Sequence, residues 1–259
     1  MAFFVDKNSI VRKIWGKGDT VLFIFAGASA EFALNKAVDW LYFTGRLPAD
    51  PLRRLFSTVS YSRQIIFSDC HKALYTIDKI TAIHKTVERK RGVHIPDWAY
   101  RDVLFMLIDY SIRSFEMLER RLTENEKMEI FDVFSRVGFR MGIRGLPSSY
   151  QAWLIMRSEH LEQNLIYSKF TTDLYKQYRM HLGPIRYHLL KQAQLLLVPE
   201  NVNKLLSLGT VPLLTPVLNV YKLTRYFKLE GLLKNAILPR NYQIQIKDLD
   251  VISESSQPS

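Results

Sequence analysis

His84 is the residue whose surroundings raise a chemical question. Between Asp69 and Arg91, residues Ala73, Ile77, Ile80, His84 and Val87 recur at spacings of four, three, four and three. That pattern is one face of a helix. On such a stripe Leu or Ile would pack with no polar group to satisfy. An imidazole there has two readings. It is a core histidine hydrogen-bonded to a carbonyl, or it projects toward a flat apolar cofactor as an axial ligand, neutral and in a greasy pocket. Periodicity alone leaves both open.

Other familiar constellations fail on their own terms. Gly27-Ala28-Ser29-Ala30-Glu31 has the outline of a nucleophile elbow but ends in Glu, and no strand–helix alternation surrounds it. Gly16-Lys17-Gly18-Asp19-Thr20 lacks the first glycine and the spacing of a phosphate loop. Ser158-Glu159-His160-Leu161-Glu162 does not supply the His-Glu-x-x-His of zinc proteases, and none of the six histidines has a glutamate three positions earlier, as paired di-iron elements require. The single cysteine, Cys70, rules out an intrachain disulfide and a cysteine-based zinc or iron–sulfur site.

The elements that must position His84 are helical. Ser68 or Asp69 caps the helix that carries it, and Gly92 stops it. Trp98 to Arg121 follows, with Leu104, Ile108, Ser111, Phe115 and Leu118 on one stripe. Thr123 and Glu126 form a capping box for a helix carrying Ile130, Phe131, Phe134, Val137 and Met141. Ser148 or Ser149 caps the next, to about Asn164. Thr171 or Thr172 caps a segment to Leu182, and Gly183-Pro184 breaks it before a helix reaching Leu197. Only Tyr242 to Lys247 alternates like a strand. The expectation is an all-α, multi-helix globular domain over residues 1–249 that encloses a cofactor pocket, with a polar, disordered tail at 250–259.

Bulk properties agree. A chain of 259 residues with 47% apolar side chains can bury a large core. Its net charge of +11 suits nucleic acid, an anionic membrane surface or an anionic cofactor held inside. The best apolar run, Val21 to Ala30, is closed by Glu31 at about half the length of a membrane span. With no leader visible at Met1-Ala2-Phe3-Phe4, a cytoplasmic protein is expected.

Several segments together resemble a known family. Asp50-Pro51-Leu52-Arg53-Arg54-Leu55-Phe56-Ser57-Thr58 is followed, a helix later, by Ile83-His84-Lys85-Thr86-Val87. Trp98-Ala99-Tyr100-Arg101-Asp102, Leu122-Thr123-Glu124-Asn125-Glu126 and Gly142-Ile143-Arg144-Gly145-Leu146-Pro147 extend the agreement. In order and spacing they resemble the family of rubber oxygenase (latex-clearing protein) and the ER-bound fungal oxygenase mpaB, over about residues 27 to 208. The resemblance implies haem b (iron) with His84 as proximal ligand, and Arg54 and Thr58 as distal residues acting in catalysis. An Arg there can pair with a propionate or orient dioxygen, with a hydroxyl beside it. This chain departs from the rubber enzymes in having Ser57 where they carry a lysine able to reach the sixth iron position, and Arg89 where they carry a further histidine. Ser57 is a poor iron ligand, so an open or water-filled sixth position is expected.

The leading functional expectation is a haem-dependent oxygenase acting with dioxygen on an apolar, isoprenoid-like small molecule. A haem carrier or sensor without turnover would use the same ligand. A third class, a basic helical protein binding nucleic acid or a membrane surface, draws on Lys85, Arg89, Lys90 and Arg91 and on net charge. Such a run is more often a solvated helix end, and no nucleic-acid motif accompanies it. No nucleic-acid partner is expected; peripheral membrane contact is compatible with the charge.

Overall fold

The computed structural model describes residues 2–43, 50–216 and 218, with residue 41 and residues 51–56 described in backbone only. The strand-like segment Tyr242 to Lys247 and the tail lie outside the described residues. Among the described residues there is no strand, only isolated bridges joining Phe3 to Asp69 and Asn35 to Leu165. The helices are α1 (Ile10–Trp15), α2 (Gly18–Leu34), α3 (Asp39–Phe43), α4 (Pro51–Phe67), α5 (Cys70–Arg91), α6 (Asp97–Leu118), α7 (Glu124–Arg140), α8 (Tyr150–Gln163), α9 (Lys169–Leu197) and α10 (Glu200–Leu206). The domain is all-α.

α2 is the axis of the fold. Its apolar run is hydrophobic on every side, as a helix packed all round must be, and α6 and α9 both lie against it. Val21, Ile24, Ala30, Ala33 and Leu34 are fully buried. Contact with α6 is close enough to need Gly27: a Cβ there would meet the Tyr110 ring at 2.3 Å. The stripe on α6 faces this core, with Leu104, Ile108, Ser111, Phe115 and Leu118 all buried. Ser111 is tolerated because its hydroxyl accepts from the Trp15 indole at 3.2 Å. No described helix is long and apolar enough to cross a membrane.

Local signals placed most boundaries. Asp69 caps α5 by accepting from the Lys72 amide, and Gly92 ends it in the left-handed region at φ 73°. The Thr123–Glu126 capping box is complete, and Ser149 caps α8. α9 is two helices meeting at Gly183, with φ 73° and ψ 170°, and Pro184 begins the second. One expected cap is corrected: α9 starts from Ser168, and Thr171 is its third residue, closing a hydroxyl version of the capping box. Thr171 also donates to the Ala33 carbonyl at 2.8 Å, which docks α9 onto α2.

Candidate functional site

α4 and α5 form an antiparallel hairpin turned by Ser68 and Asp69. Arg54 precedes the end of α4 by nearly as many residues as His84 follows the start of α5. At 1.5 Å per residue, each lies roughly 20 Å of helix from the turn. The backbone therefore sets Arg54 level with His84, with Thr58 one turn nearer the bend. The Arg54 side chain lies outside the described residues. Thr58 is half-buried and Ser57 exposed.

His84 itself is half-buried and lines a cleft of about 480 Å³. Thr81, His84, Lys85 and Glu88 form one wall, at the spacing of a single face of α5. The α5–α6 connection and the first turn of α6 supply His94, Ile95, Asp97 and Tyr100, and the chain after α7 closes the cleft with Met141 to Arg144. No described α4 residue lines it, so the hairpin sets Thr58 about one turn from the level of His84 without bringing it into this cleft. The stripe around His84 is also less sealed than expected: Ala73 and Ile77 are buried, but Ile80 and Val87 only partly so.

The walls are tied together through Glu88. Its Oε1 accepts from the Ile95 amide at 2.9 Å and from the Tyr100 hydroxyl at 3.2 Å, and its Oε2 faces His94 Nδ1 at 3.3 Å. The Tyr100 ring meets the His84 imidazole edge-on, with centroids 5.2 Å apart and planes at 78°. Burial, then the Glu88 charge, pushes the Tyr100 phenol well above its ordinary pKa, so it stays a hydrogen-bond donor. Opposite, Asp97 accepts from the Arg144 amide at 3.2 Å, and Arg101 donates to the Arg144 carbonyl at 2.7 Å. Gly145, at φ 68°, lets the guanidinium of Arg101 approach the backbone there. Where α5 ends, Arg91 bonds Asp39 at 2.6 Å and lies over the Trp40 ring at 3.9 Å. The basic run is thus a helix end that also docks α3.

The other histidines divide clearly. His94 shares the cleft with His84; His71 and His188 are exposed and His181 is half-buried. His160 belongs to a buried charge network that sequence reasoning missed. Arg157 donates from Nη2 to Glu31 Oε2 at 2.7 Å and to Asp109 Oδ2 at 2.8 Å. His160 Nε2 meets Glu31 Oε1 at 2.7 Å, and its Nδ1 meets Asp102 Oδ1 at 2.6 Å. Tyr110 donates to Glu31 at 2.8 Å, while Asn35 and Asn164 donate to Asp102 at 2.9 and 3.0 Å. Carboxylates facing both nitrogens favour the protonated ring. Burial alone would lower the His160 pKa, but hydrogen bonds and charge from Asp102 and Glu31 raise it. Burial likewise opposes ionisation of Glu31, yet Arg157 and His160 hold its carboxyl far below the usual range. With a guanidinium between the carboxylates, the set is a lock joining α2, α6 and α8. Its one sequence signal was Glu31, a carboxylate interrupting an otherwise apolar helix.

The cleft's donor set is compatible with haem b. It combines one imidazole on a rigid helix with the cations Lys85 and Arg144 at the rim, suited to propionate carboxylates. Ile95, Met141 and Ile143 add apolar lining, and the volume is that of a small-molecule or cofactor site. No curated protein matches the chain. The family model described as the ER-bound oxygenase mpaB/B'/rubber oxygenase catalytic domain matches residues 12–224, most of the sequence and every helix that builds the cleft. The chain belongs to this oxygenase catalytic-domain family.

Proposed function

We propose that this oxygenase domain uses haem b, held through His84, to oxidise an apolar, isoprenoid-like small molecule with dioxygen. The observation that carries the reading is His84 on a capped helix, facing a cleft of about 480 Å³ within the matched domain. Haem b supplies a redox-active iron for chemistry with dioxygen. In this reading His84 is the proximal ligand, and Lys85 and Arg144 neutralise the propionates. The family pattern implies Arg54 and Thr58 as the distal residues; they stand on α4, of which no described residue lines this cleft. The apolar lining from Ile95, Met141 and Ile143 suits a greasy substrate. A site of one domain spanning 1–249 is part of the proposal, as is a cytoplasmic setting with peripheral membrane contact through the basic surface.

The test is reconstitution of the full chain with ferric haem. The expected result is a Soret band at about one haem per chain, lost in His84→Ala. Equal occupancy and an unchanged spectrum in that variant would remove His84 as ligand.

One observation favours a second reading, a haem carrier or sensor: His94 lines the cleft with His84. A second imidazole on the iron would compete with dioxygen. Turnover of an apolar alkene by the reconstituted protein separates the two readings.

A further inference from the structure

We propose that Tyr100 and Glu88 are positioning residues that fix the orientation of the His84 ring. The geometry stands independently of haem; its consequence for iron ligation rests on the function proposed above. Glu88 lies one turn beyond His84 on α5, and its side chain is only 11% exposed. That carboxylate does not point at the imidazole's own helix neighbours. Its Oε1 instead joins the backbone after α5, at Ile95, to the first turn of α6, at Tyr100.

The Tyr100 ring is thereby held from two ends, by its place on α6 and by its hydroxyl on Glu88. Its contact with His84 is edge-on at 5.2 Å, a favoured arrangement for aromatic pairs. Rotation about two side-chain bonds sets where an imidazole's nitrogens point. Beside a tethered phenol ring, that rotation is reduced to the angles the ring permits. His94 also touches Glu88, but its side chain is 94% exposed, so it contributes little to the tether.

Three full-length variants separate the parts. Tyr100→Leu removes the ring, Tyr100→Phe keeps the ring and removes the tether, and Glu88→Gln keeps an acceptor while removing the charge. The first readout uses the protein without haem, labelled at histidine carbons. The His84 ring resonances, identified by their loss in His84→Ala, should shift in Tyr100→Leu as the aromatic neighbour disappears. In Tyr100→Phe they should stay near the wild-type position but broaden. The second readout is ferric haem affinity. Outer-shell partners of a metal-bound histidine typically contribute 10–100-fold. Tyr100→Leu should lose about tenfold or more, with Tyr100→Phe and Glu88→Gln intermediate.

Wild-type His84 resonances in a folded Tyr100→Leu variant, judged by unchanged far-UV circular dichroism, would overturn the clamp. Shifted resonances with undiminished haem affinity would overturn its role in ligation. Should Tyr100→Leu not fold, Tyr100→Phe and Glu88→Gln decide by the same two readouts. If the wild-type chain takes up no ferric haem, the functional reading fails, and the resonance shifts alone support or overturn the clamp.

Discussion

Two histidines on two helices, His160 and His84, sit in contrasting surroundings. His160 sits in the core with both nitrogens spent on Asp102 and Glu31, and Arg157 fills the space beside it. Near His84 the carboxylate of Glu88 accepts from Ile95 and Tyr100, and the Tyr100 ring meets the imidazole at the wall of a cleft. Access to a cleft is what separates the site from the lock. A buried histidine between two carboxylates has no room for a ligand, whereas the His84 ring stands at the wall of a cleft that can admit one.

If the comparison is right, the two regions break differently. Arg157→Ala leaves Glu31 and Asp109 buried with one cation fewer. Removing one partner of a buried ion pair typically costs about 3–5 kcal/mol. Denaturant unfolding should therefore show a large fall in midpoint, or no folded protein at all. A loss below about 1 kcal/mol would mean the network is relaxed or hydrated, unlike an unpaired buried charge.

The same lock gives a pH dependence with two edges. The folded pKa of His160 is raised, so its contribution is full below the unfolded value near 6.5 and is lost as pH rises through the folded pKa. The folded pKa of Glu31 is depressed, so its contribution is full above the unfolded value near 4.5 and is lost as pH falls through the folded pKa. Stability should be greatest between these edges. His160→Gln, which can still donate one hydrogen bond, should flatten the alkaline edge and leave the acid edge in place. An alkaline edge unchanged in that variant would assign the dependence to other groups.

His84→Ala should do the reverse of Arg157→Ala. The ring is half-buried beside a cleft and not sealed in the core, so stability should change by less than about 1 kcal/mol. Haem uptake should nevertheless fall from stoichiometric to background. A large loss of stability together with retained haem would reverse the roles assigned to the two histidines.

What was legible in the sequence follows from how local each signal is. The caps at Asp69, Thr123 and Ser149, and the break at Gly183-Pro184, involve atoms within one turn, and the folded chain uses them as the pattern implies. Ser168 was passed over because Thr171 also carries a hydroxyl, and only the fold shows that this hydroxyl is committed to Ser168 and Ala33. His84 could be singled out because a polar residue on an apolar stripe is itself a local anomaly. The lock could not, because residues 31, 102, 109, 157 and 160 meet only after α2, α6 and α8 pack. Glu88 and Tyr100 escaped for the same reason: a carboxylate and a phenol at a helix end look like ordinary surface residues until the chain folds back.

The smallest expected effect concerns His94 and sharpens the contrast on the cleft side. Ser57 is exposed and a poor iron ligand, so the proposed function leaves the sixth coordination position open or water-filled. His94 is the other imidazole that lines the cleft. Its hold on Glu88 is a single contact at 3.3 Å from a side chain that is 94% exposed, so detaching it would cost little. With the sixth position open, reconstituted protein should be high-spin ferric at neutral pH and bind cyanide or imidazole without first displacing a protein ligand. His94→Ala should then change neither the spectrum nor the rate of imidazole binding. A low-spin spectrum that becomes high-spin in His94→Ala would instead make the cleft a bis-histidine site. The carrier or sensor reading would then replace the oxygenase.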